Sequence, residues 1–261
     1  MTGTPLICLE NVTVERGSRC VLDGISLAIA QGEHVAVLGP NGSGKSTLIK
    51  LMSRELYPRQ KAEPWRLQIL GRERWDLFEL RNQLGLVSND WMRMCTRDYP
   101  GYEMVLSGFF GSVGVWPHHN VTPDMERKTL DVMRILQIEH LVERPATEMS
   151  SGEARRILIG RALVHDPKAL VFDEPTTSLD LRATYELREM LRELARRGLS
   201  IVLVTHHLPD IIPEVERVVL LQRGRVLRDG PKREVLGSGP LSELFEIPVE
   251  VLERDGYYHV I

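Results

Sequence analysis

The chain has 261 residues, enough to bury one substantial core, so its length favours a single large α/β domain. It carries 33 Lys and Arg residues against 36 Asp and Glu residues, a formal net charge of -3, so no overall basic excess suggests nucleic acid as a partner. Its longest apolar runs, such as residues 35–38 and 201–204, have the length of strands and are far shorter than the roughly 20 residues that cross a bilayer.

The cysteines and the first residues indicate where the protein works. Cys8, Cys20 and Cys95 are few, odd in number and far apart, which fits neither a disulfide framework nor a zinc site. Residues 1–5 lack the basic and apolar regions of a secretory signal. We therefore expect a soluble, cytoplasmic protein.

The first predicted elements are two antiparallel strands, because residues 6–14 and 21–29 alternate apolar and polar side chains. Residues 34–38 form a shorter, nearly continuous apolar run, which is typical of a strand covered on both faces. This strand leads directly into a glycine-rich segment, and a helix is predicted from Lys45 onward.

The middle of the chain is predicted to be helical. Strand patterns are absent from about residue 99 to residue 163. Residues 125–136 show helical spacing, with Thr122 and Pro123 as the cap and first turn. This part of the chain therefore predicts an inserted helical subdomain.

Buried strands are predicted again at residues 170–172 and 201–205, separated by a helix over residues 182–197 that stops at Gly198. Strands that alternate with helices indicate a parallel sheet, which binds ligands at the carboxyl ends of its strands.

The last part of the chain is predicted to form two hairpins. Residues 218–221 and 225–227 flank a turn at Arg223 and Gly224. The tail, residues 238–261, is predicted to form a short helix and a hairpin that turns between residues 255 and 256.

A phosphate-binding loop is predicted between the third strand and the helix that follows it. The segment consists of Gly39, Pro40, Asn41, Gly42, Ser43, Gly44, Lys45 and Ser46, followed by Thr47. Its glycines let backbone N–H groups converge on phosphate oxygens, and the start of the helix favours negative charge. Lys45 is expected to reach the β- and γ-phosphates of ATP as a catalytic cation, and Ser46 to ligate Mg²⁺.

Two carboxylates follow the buried strand at residues 170–172. Asp173 is expected to hold Mg²⁺ at the carboxyl end of that strand, and Glu174 to orient or deprotonate the attacking water. Further motifs lie on either side of this pair. They are Ser150, Ser151, Gly152 and Glu153 before a helical run, and Thr177, Ser178, Leu179 and Asp180 after the strand.

In this order and spacing, the segment from Met149 to Asp180 resembles the signature motif, second acidic strand and D-loop of ATP-binding cassette (ABC) ATPases, and the resemblance extends from Leu6 to about Val235. It implies an α/β fold of the P-loop NTPase type, with a mixed or parallel sheet, an antiparallel β subdomain and an inserted helical subdomain. The implied single domain, residues 1–261, is divided as follows: core 1–90 and 165–237, helical subdomain about 91–164, C-terminal extension 238–261.

The resemblance also assigns roles to residues. His206 is expected to contact the γ-phosphate. The helix start at Ser150 and Gly152 is expected to bind the γ-phosphate of ATP held by a second protomer. Within this segment, Ser151 and Glu153 stand where the family usually has glycine and glutamine. Asp180 is expected to be a further nucleotide contact.

Two positions depart from the family pattern. Where the family has an aromatic residue that stacks on adenine, this chain has Arg16, which either stacks its guanidinium on the base or lies at the surface away from it. Where the family has a glutamine that senses Mg²⁺ and contacts the membrane subunit, the chain has Asn89, with the same amide on a shorter side chain and with Asp90 beside it.

The resemblance implies an ATPase subunit that powers a membrane transporter. We expect an importer, because the chain carries no membrane segment of its own. Its general look, including the tail from Ser238, is similar to cassettes of metal-chelate or molybdate-type uptake systems. The expected cofactors are ATP and Mg²⁺. The expected partners are a second cassette, as a homodimer, and a membrane-embedded permease on the inner face of the cell membrane, with no direct contact to nucleic acid.

Two alternatives remain open from the sequence. One is a soluble ABC ATPase that acts on DNA or ribosomes, although such proteins usually have two cassettes or long coiled-coil inserts. The other is a small-molecule kinase with the same loop, which leaves the segment at Ser150 unexplained.

Overall fold

The computed structural model describes residues 4–60, 63–88 and 98–261. Within these residues the strands, β1 to β11 in chain order, are Pro5–Arg16, Arg19–Ala30, Val35–Leu38, Arg66–Ile69, Leu84–Val87, Ala169–Asp173, Ser200–Thr205, Arg217–Gln222, Arg225–Pro231, Val251–Arg254 and Tyr257–Val260. The helices, α1 to α8, are Lys45–Met52, Leu77–Gln83, Gly101–Leu106, Pro123–Ile135, Ser151–Leu163, Leu181–Arg196, Lys232–Val235 and Ser238–Phe245. None of these helices combines the length and apolar character needed to span a bilayer.

The strands form one large mixed sheet and two smaller antiparallel sheets. The large sheet has the order β5-β6-β7-β3-β8-β9. The first five strands in this order run parallel, and the last, β9, pairs antiparallel with β8. A second sheet has the order β2-β1-β4, and β10 pairs with β11 in the tail. The predicted α/β class with a mixed sheet is therefore confirmed.

Both faces of the large sheet are buried, as the continuous apolar runs predict. Along β3, Val35 and Val37 pack into a cluster with the β2-β1-β4 sheet and α1. Ala36 and Leu38 point the other way, into a cluster with α3 to α6 and the tail. Since successive strand residues face opposite sides, an apolar residue at every position indicates a covered sheet.

The predicted helices and turns lie close to their expected positions. Helix α4 begins at Pro123, and the Thr122 hydroxyl accepts a hydrogen bond from the Met125 amide at 3.4 Å. Helix α6 ends at Arg196, shortly before Gly198, which has a φ of 88°. Residues 98–164 contain helices and no described strand, while the division of the chain into a core and a helical subdomain stays a prediction.

The register of the large sheet brings the carboxyl ends of three central strands together. Asp173 of β6 lies beside Val204 of β7, and Thr205 of β7 lies beside Leu38 of β3. The phosphate-loop segment, the acidic pair and His206 each continue directly from one of these strand ends. This edge of the sheet is therefore where the predicted site residues can meet.

Candidate nucleotide site

The segment from Gly39 to Gly44 is held in one tight conformation. Gly44, just before α1, has a φ of 111°, a left-handed conformation that favours glycine. A Cβ on Gly39 would lie only 2.3 Å from the Leu221 carbonyl oxygen, so no larger residue fits there. The Gly224 amide donates to the Ser43 carbonyl at 2.8 Å, which ties the turn after β8 to the loop.

The loop carries a buried polar atom that suits a phosphate. The Ser43 hydroxyl is buried and has no hydrogen-bond partner among the described residues. A buried hydroxyl without a partner is costly, and a phosphate oxygen from the cleft could accept its proton. Ser46 is exposed and lines the same cleft, so its hydroxyl is accessible to a cation.

Lys45 lies at the centre of the site with its side chain 7% exposed. Its ammonium donates to the carbonyl oxygens of Gly39 at 2.7 Å and Pro40 at 3.1 Å, and lies 3.5 Å from Glu174 Oε1. Burial lowers the pKa of Lys45, and the carboxylates of Glu174 and Asp173 oppose that shift. A buried cation next to a glycine-rich loop is suited to phosphate oxygens, which would replace its present acceptors.

Glu174 connects the loop to the end of the next strand. It has a φ of 50°, an uncommon conformation for a residue other than glycine, and its amide donates to the Val204 carbonyl at 2.8 Å. Its Oε2 atom lies 2.6 Å from His206 Nδ1. The backbone therefore fixes the carboxylate between the cation of Lys45 and the imidazole of His206.

The cleft around these groups encloses about 1040 Å³, at the upper end of the roughly 300–1,000 Å³ of small-molecule pockets. Its lining residues are Arg16, Arg19, Cys20, Val21, Asn41, Gly42, Gly44, Lys45, Ser46, Thr47, Glu174, Thr177, His206 and Arg223. Arg16 thus lies in the cleft, as it must if its guanidinium stacks on the base. Arg19 and Arg223, which sequence reasoning missed, add positive charge that suits a polyphosphate.

A second polar network joins Asp210 to Thr205, the residue before His206. Asp210 is buried, and its carboxylate accepts hydrogen bonds from the hydroxyls of Thr176 at 2.8 Å and Thr205 at 2.9 Å. Arg188 donates to the same carboxylate at 3.3 Å. Sequence reasoning missed Asp210, although an acidic residue four positions after His206 and within an apolar run was a visible signal.

The predicted signature residues form a helix start. Ser150 precedes α5, and its hydroxyl accepts from the Glu153 amide at 3.2 Å while the Glu153 carboxylate accepts from the Ser150 amide at 2.8 Å. Burial raises the pKa of Glu153, but these hydrogen bonds and the neighbouring Arg144 outweigh it and hold the pKa low. The Ser151 hydroxyl donates to the Ser178 carbonyl at 3.3 Å, so the segment before Asp180 packs against this helix start.

The signature residues open onto a cleft of their own. That cleft is lined by His140, Arg144, Ser150, Gly152, Glu153, Arg156, Asp180, Arg182, Ala183 and Glu186. Among the described residues, it shares no lining residue with the cleft at Lys45. Asp180 also caps α6, since its carboxylate accepts from the Ala183 amide at 2.7 Å. Within one chain, the Ser150 segment and the phosphate loop therefore line different clefts.

Two further metal contacts are predicted from the sequence, at Asp173 and Asn89. Asp173 lies at the end of β6 next to Glu174. Its carboxylate and the Ser46 hydroxyl are oxygen donors of the kind that Mg²⁺ prefers. Asn89 lies outside the described residues. The roles of all these residues stay predictions.

Comparison with known proteins identifies the family. A sequence profile of the ABC transporter family matches residues 22–177. The chain is 32% identical over 254 residues to YlmA, an ABC transporter ATP-binding protein of Bacillus subtilis, covering 95% of this chain and 93% of YlmA. It is 33% identical over 262 residues to the hemin import ATP-binding protein HmuV of Bradyrhizobium diazoefficiens, covering 97% of this chain and 92% of HmuV.

A solved structure agrees with these relatives. The fold matches cbiO1 of Clostridium perfringens, part of the ABC transporter complex cbiONQ, with a TM-score of 0.77, 27% sequence identity, and coverage of 92% of this chain and 94% of cbiO1. The chain therefore belongs to the ABC transporter family, as one of its ATP-hydrolysing subunits.

Proposed function

We propose that the chain powers a membrane importer as a pair of identical subunits that close over ATP. The observation that carries this proposal is the separation of the two clefts within one chain. A nucleotide held at Lys45 can meet a Ser150 helix start only when a second chain supplies it. The pair would then contain two composite sites, each with a phosphate loop from one chain and a signature helix from its partner.

Within each site, different residues around Lys45 would bind the parts of ATP and its Mg²⁺. Lys45 and the loop amides would bind the β- and γ-phosphates, and Arg16 would lie toward the base. Ser46 and Asp173 would hold Mg²⁺, which neutralises phosphate charge when it is bound. The oxygen donors and the buried Ser43 hydroxyl support this assignment.

Hydrolysis would then depend on Glu174 and His206. The carboxylate of Glu174 would orient the attacking water or accept its proton, and His206, hydrogen bonded to the same carboxylate, would contact the γ-phosphate. Asp210 would position the segment that carries His206, because its carboxylate accepts hydrogen bonds from Thr176 and Thr205.

The start of α5 suits the role of a contact from the partner. Backbone N–H groups at a helix start attract anions, and α5 has 13 residues aligned behind Ser150. Gly152 packs against Ala183 so closely that a Cβ would lie 2.9 Å from the alanine Cβ, so glycine lets the starts of α5 and α6 lie side by side in this cleft. Asp180, in the same cleft, would approach the shared nucleotide from the partner side.

A membrane permease is the second partner that we propose. An apolar cleft between the sheet and α5 lies away from the phosphate loop, and its lining includes Met52, Phe78, Leu80, Leu158 and His165. Phe78 is 46% exposed, so aromatic surface remains available to a permease segment. Bound there, the chain would lie on the inner face of the cell membrane, and its similarity to HmuV, a hemin import protein, supports import as the direction. The family membership favours transport over action on DNA or ribosomes.

We expect Ser150→Arg to abolish hydrolysis while the chain still binds ATP. The bulky cation at the helix start would block closure of the pair, whereas Lys45 and the loop remain intact. Phosphate release and titration with a fluorescent ATP analogue measure the two properties separately.

A matched control separates closure from the loss of a helix cap. Thr122→Arg removes the cap of α4, at a similar cost of about 1 kcal/mol, and leaves the signature cleft unchanged. That variant should hydrolyse ATP like the wild type. Equal rates for wild type and Ser150→Arg would remove the Ser150 segment from the active site.

A further inference from the structure

His207 has no role in the functions above, yet its ring lies beside the groups proposed to hydrolyse ATP. Its ring centroid is 3.8 Å from that of His206, and the two ring planes are tilted by 41°. Together with Glu174, these residues place one carboxylate oxygen and two imidazole nitrogens within 4.8 Å of one another. We refer to Glu174, His206 and His207 as the Glu-His-His cluster.

The backbone holds this cluster together from two sides. Strand β7 ends at Thr205, His206 lies in a bend, and His207 is extended with φ -104° and ψ 117°. The Thr205 hydroxyl accepts from the His207 amide at 3.0 Å, which fixes the bend that brings the rings to the same side. Glu174 is held opposite by the hydrogen bond that its amide donates to the Val204 carbonyl. The donors are therefore largely in place before any ligand arrives.

Two imidazoles and one carboxylate are a ligand set that holds Zn²⁺, with water in the fourth position. Zinc lies about 2.0–2.2 Å from such donors, so small side-chain rotations would be needed to arrange the ligand atoms around the ion. His207 is exposed, so its ring can rotate without repacking the core. The ion would replace the hydrogen bond between His206 Nδ1 and Glu174 Oε2, which are now 2.6 Å apart.

Neighbouring charges affect the binding of a metal ion to the Glu-His-His cluster. Lys45 lies 3.5 Å from the other carboxylate oxygen, Glu174 Oε1, and opposes a second cation. Asp173 adds a nearby negative charge, which also opposes the lowering of the Lys45 pKa by burial and favours a cation in this region. Oε2, which faces away from Lys45 toward the imidazoles, is the oxygen left for a metal ion.

We propose that the Glu-His-His cluster binds a divalent transition-metal ion of the zinc type, and that the bound ion inhibits ATP hydrolysis. The inhibition rests on the function proposed above, because the ion would occupy the carboxylate and the imidazole that hydrolysis requires. Mg²⁺ would not replace the ion, since magnesium prefers oxygen donors and imidazole suits zinc, nickel and cobalt. The site would let a free transition metal stop the ATPase without competing for the magnesium position.

The binding part is tested first, without nucleotide, by calorimetric titration of Zn²⁺ into the full-length chain. We expect His207→Ala to weaken zinc binding at this site by at least about tenfold, the lower end of what loss of support for a metal site costs. Glu174→Gln should weaken it as well, because it removes the charged ligand. His118→Ala is the matched control, since His118 and His119 form another adjacent pair with ring centroids 4.6 Å apart. The proposal is overturned if His207→Ala binds zinc as the wild type does, or if His118→Ala causes the larger loss.

The inhibitory part is tested by phosphate release in excess Mg²⁺ with increasing Zn²⁺. We expect His207→Ala to match the wild type without zinc and to need at least about tenfold more zinc for half inhibition. Equal inhibition of both chains would overturn the regulatory role. A wild type that hydrolyses no ATP would instead refute the proposed function, and the zinc titration would still decide the metal site.

Discussion

Glu174→Gln should abolish ATP hydrolysis and leave ATP binding intact. The substitution keeps the size of the side chain, and its amide can still accept from Lys45 and bond to His206. It removes the carboxylate that orients or deprotonates water, so we expect hydrolysis to fall by at least about 100-fold, the lower end of what a general base contributes. Binding should be equal or tighter, because a negative charge next to the triphosphate is lost.

Phosphate release and nucleotide titration on the same preparation check this expectation. Glu193→Gln is a suitable control, because Glu193 lies on α6 in an exposed pair with Arg197 and should affect neither quantity. Hydrolysis near the wild-type rate in Glu174→Gln would exclude Glu174 as the catalytic carboxylate.

Lys45→Ala should have the largest effect on binding. The phosphates would lose a buried ammonium placed at the mouth of the loop, and hydrogen bonds to charged groups are each worth about 1.5–3 kcal/mol. One such bond corresponds to roughly 10- to 150-fold weaker binding of ATP. The dissociation constant is measured by titration with ATP and Mg²⁺.

Lys50→Ala supplies the matched control for this change. Lys50 lies on the same helix, α1, but does not line the cleft, so its loss should leave the dissociation constant unchanged. An unchanged constant in Lys45→Ala would contradict the assignment of the phosphate loop.

The sheet and its covered faces could be predicted from the sequence because their signals are local. Alternation in β2 and the short apolar runs of β3, β6 and β7 report directly which side chains are buried, whereas in β1 the neighbours Leu6 and Ile7 are both buried. The structure lengthens β1 to Pro5–Arg16 and β2 to Arg19–Ala30, beyond the alternating residues. Backbone pairing continues there although the side chains no longer alternate, which a pattern of side chains cannot report.

The elements between residues 66 and 83 could not be predicted in the same way. Strand β4 has only four residues, and its position is set by pairing with β1, where Gln68 lies beside Cys8. Helix α2 has seven residues and buries only Leu80, so it shows no helical period. Both depend on partners that are distant in the sequence.

In the candidate site, too, some residues could be predicted from local sequence patterns and others could not. The glycine-rich loop, the acidic pair and the helix start at Ser150 carry their own local patterns. Arg19 and Arg223 do not, because each becomes relevant only through the packing of distant segments. The structure also shows what no pattern could, namely that the Ser150 cleft and the Lys45 cleft are separate within one chain.

Association of the chain in the presence of nucleotide tests the central claim most directly. Sedimentation velocity of Glu174→Gln should show a monomer without nucleotide and with ADP, and a dimer with ATP and Mg²⁺, because only ATP offers a γ-phosphate to the Ser150 helix of the partner. Adding Ser150→Arg to Glu174→Gln should abolish that dimer while each chain still binds ATP. A double variant that still dimerises with ATP would contradict closure of the pair through the signature helix.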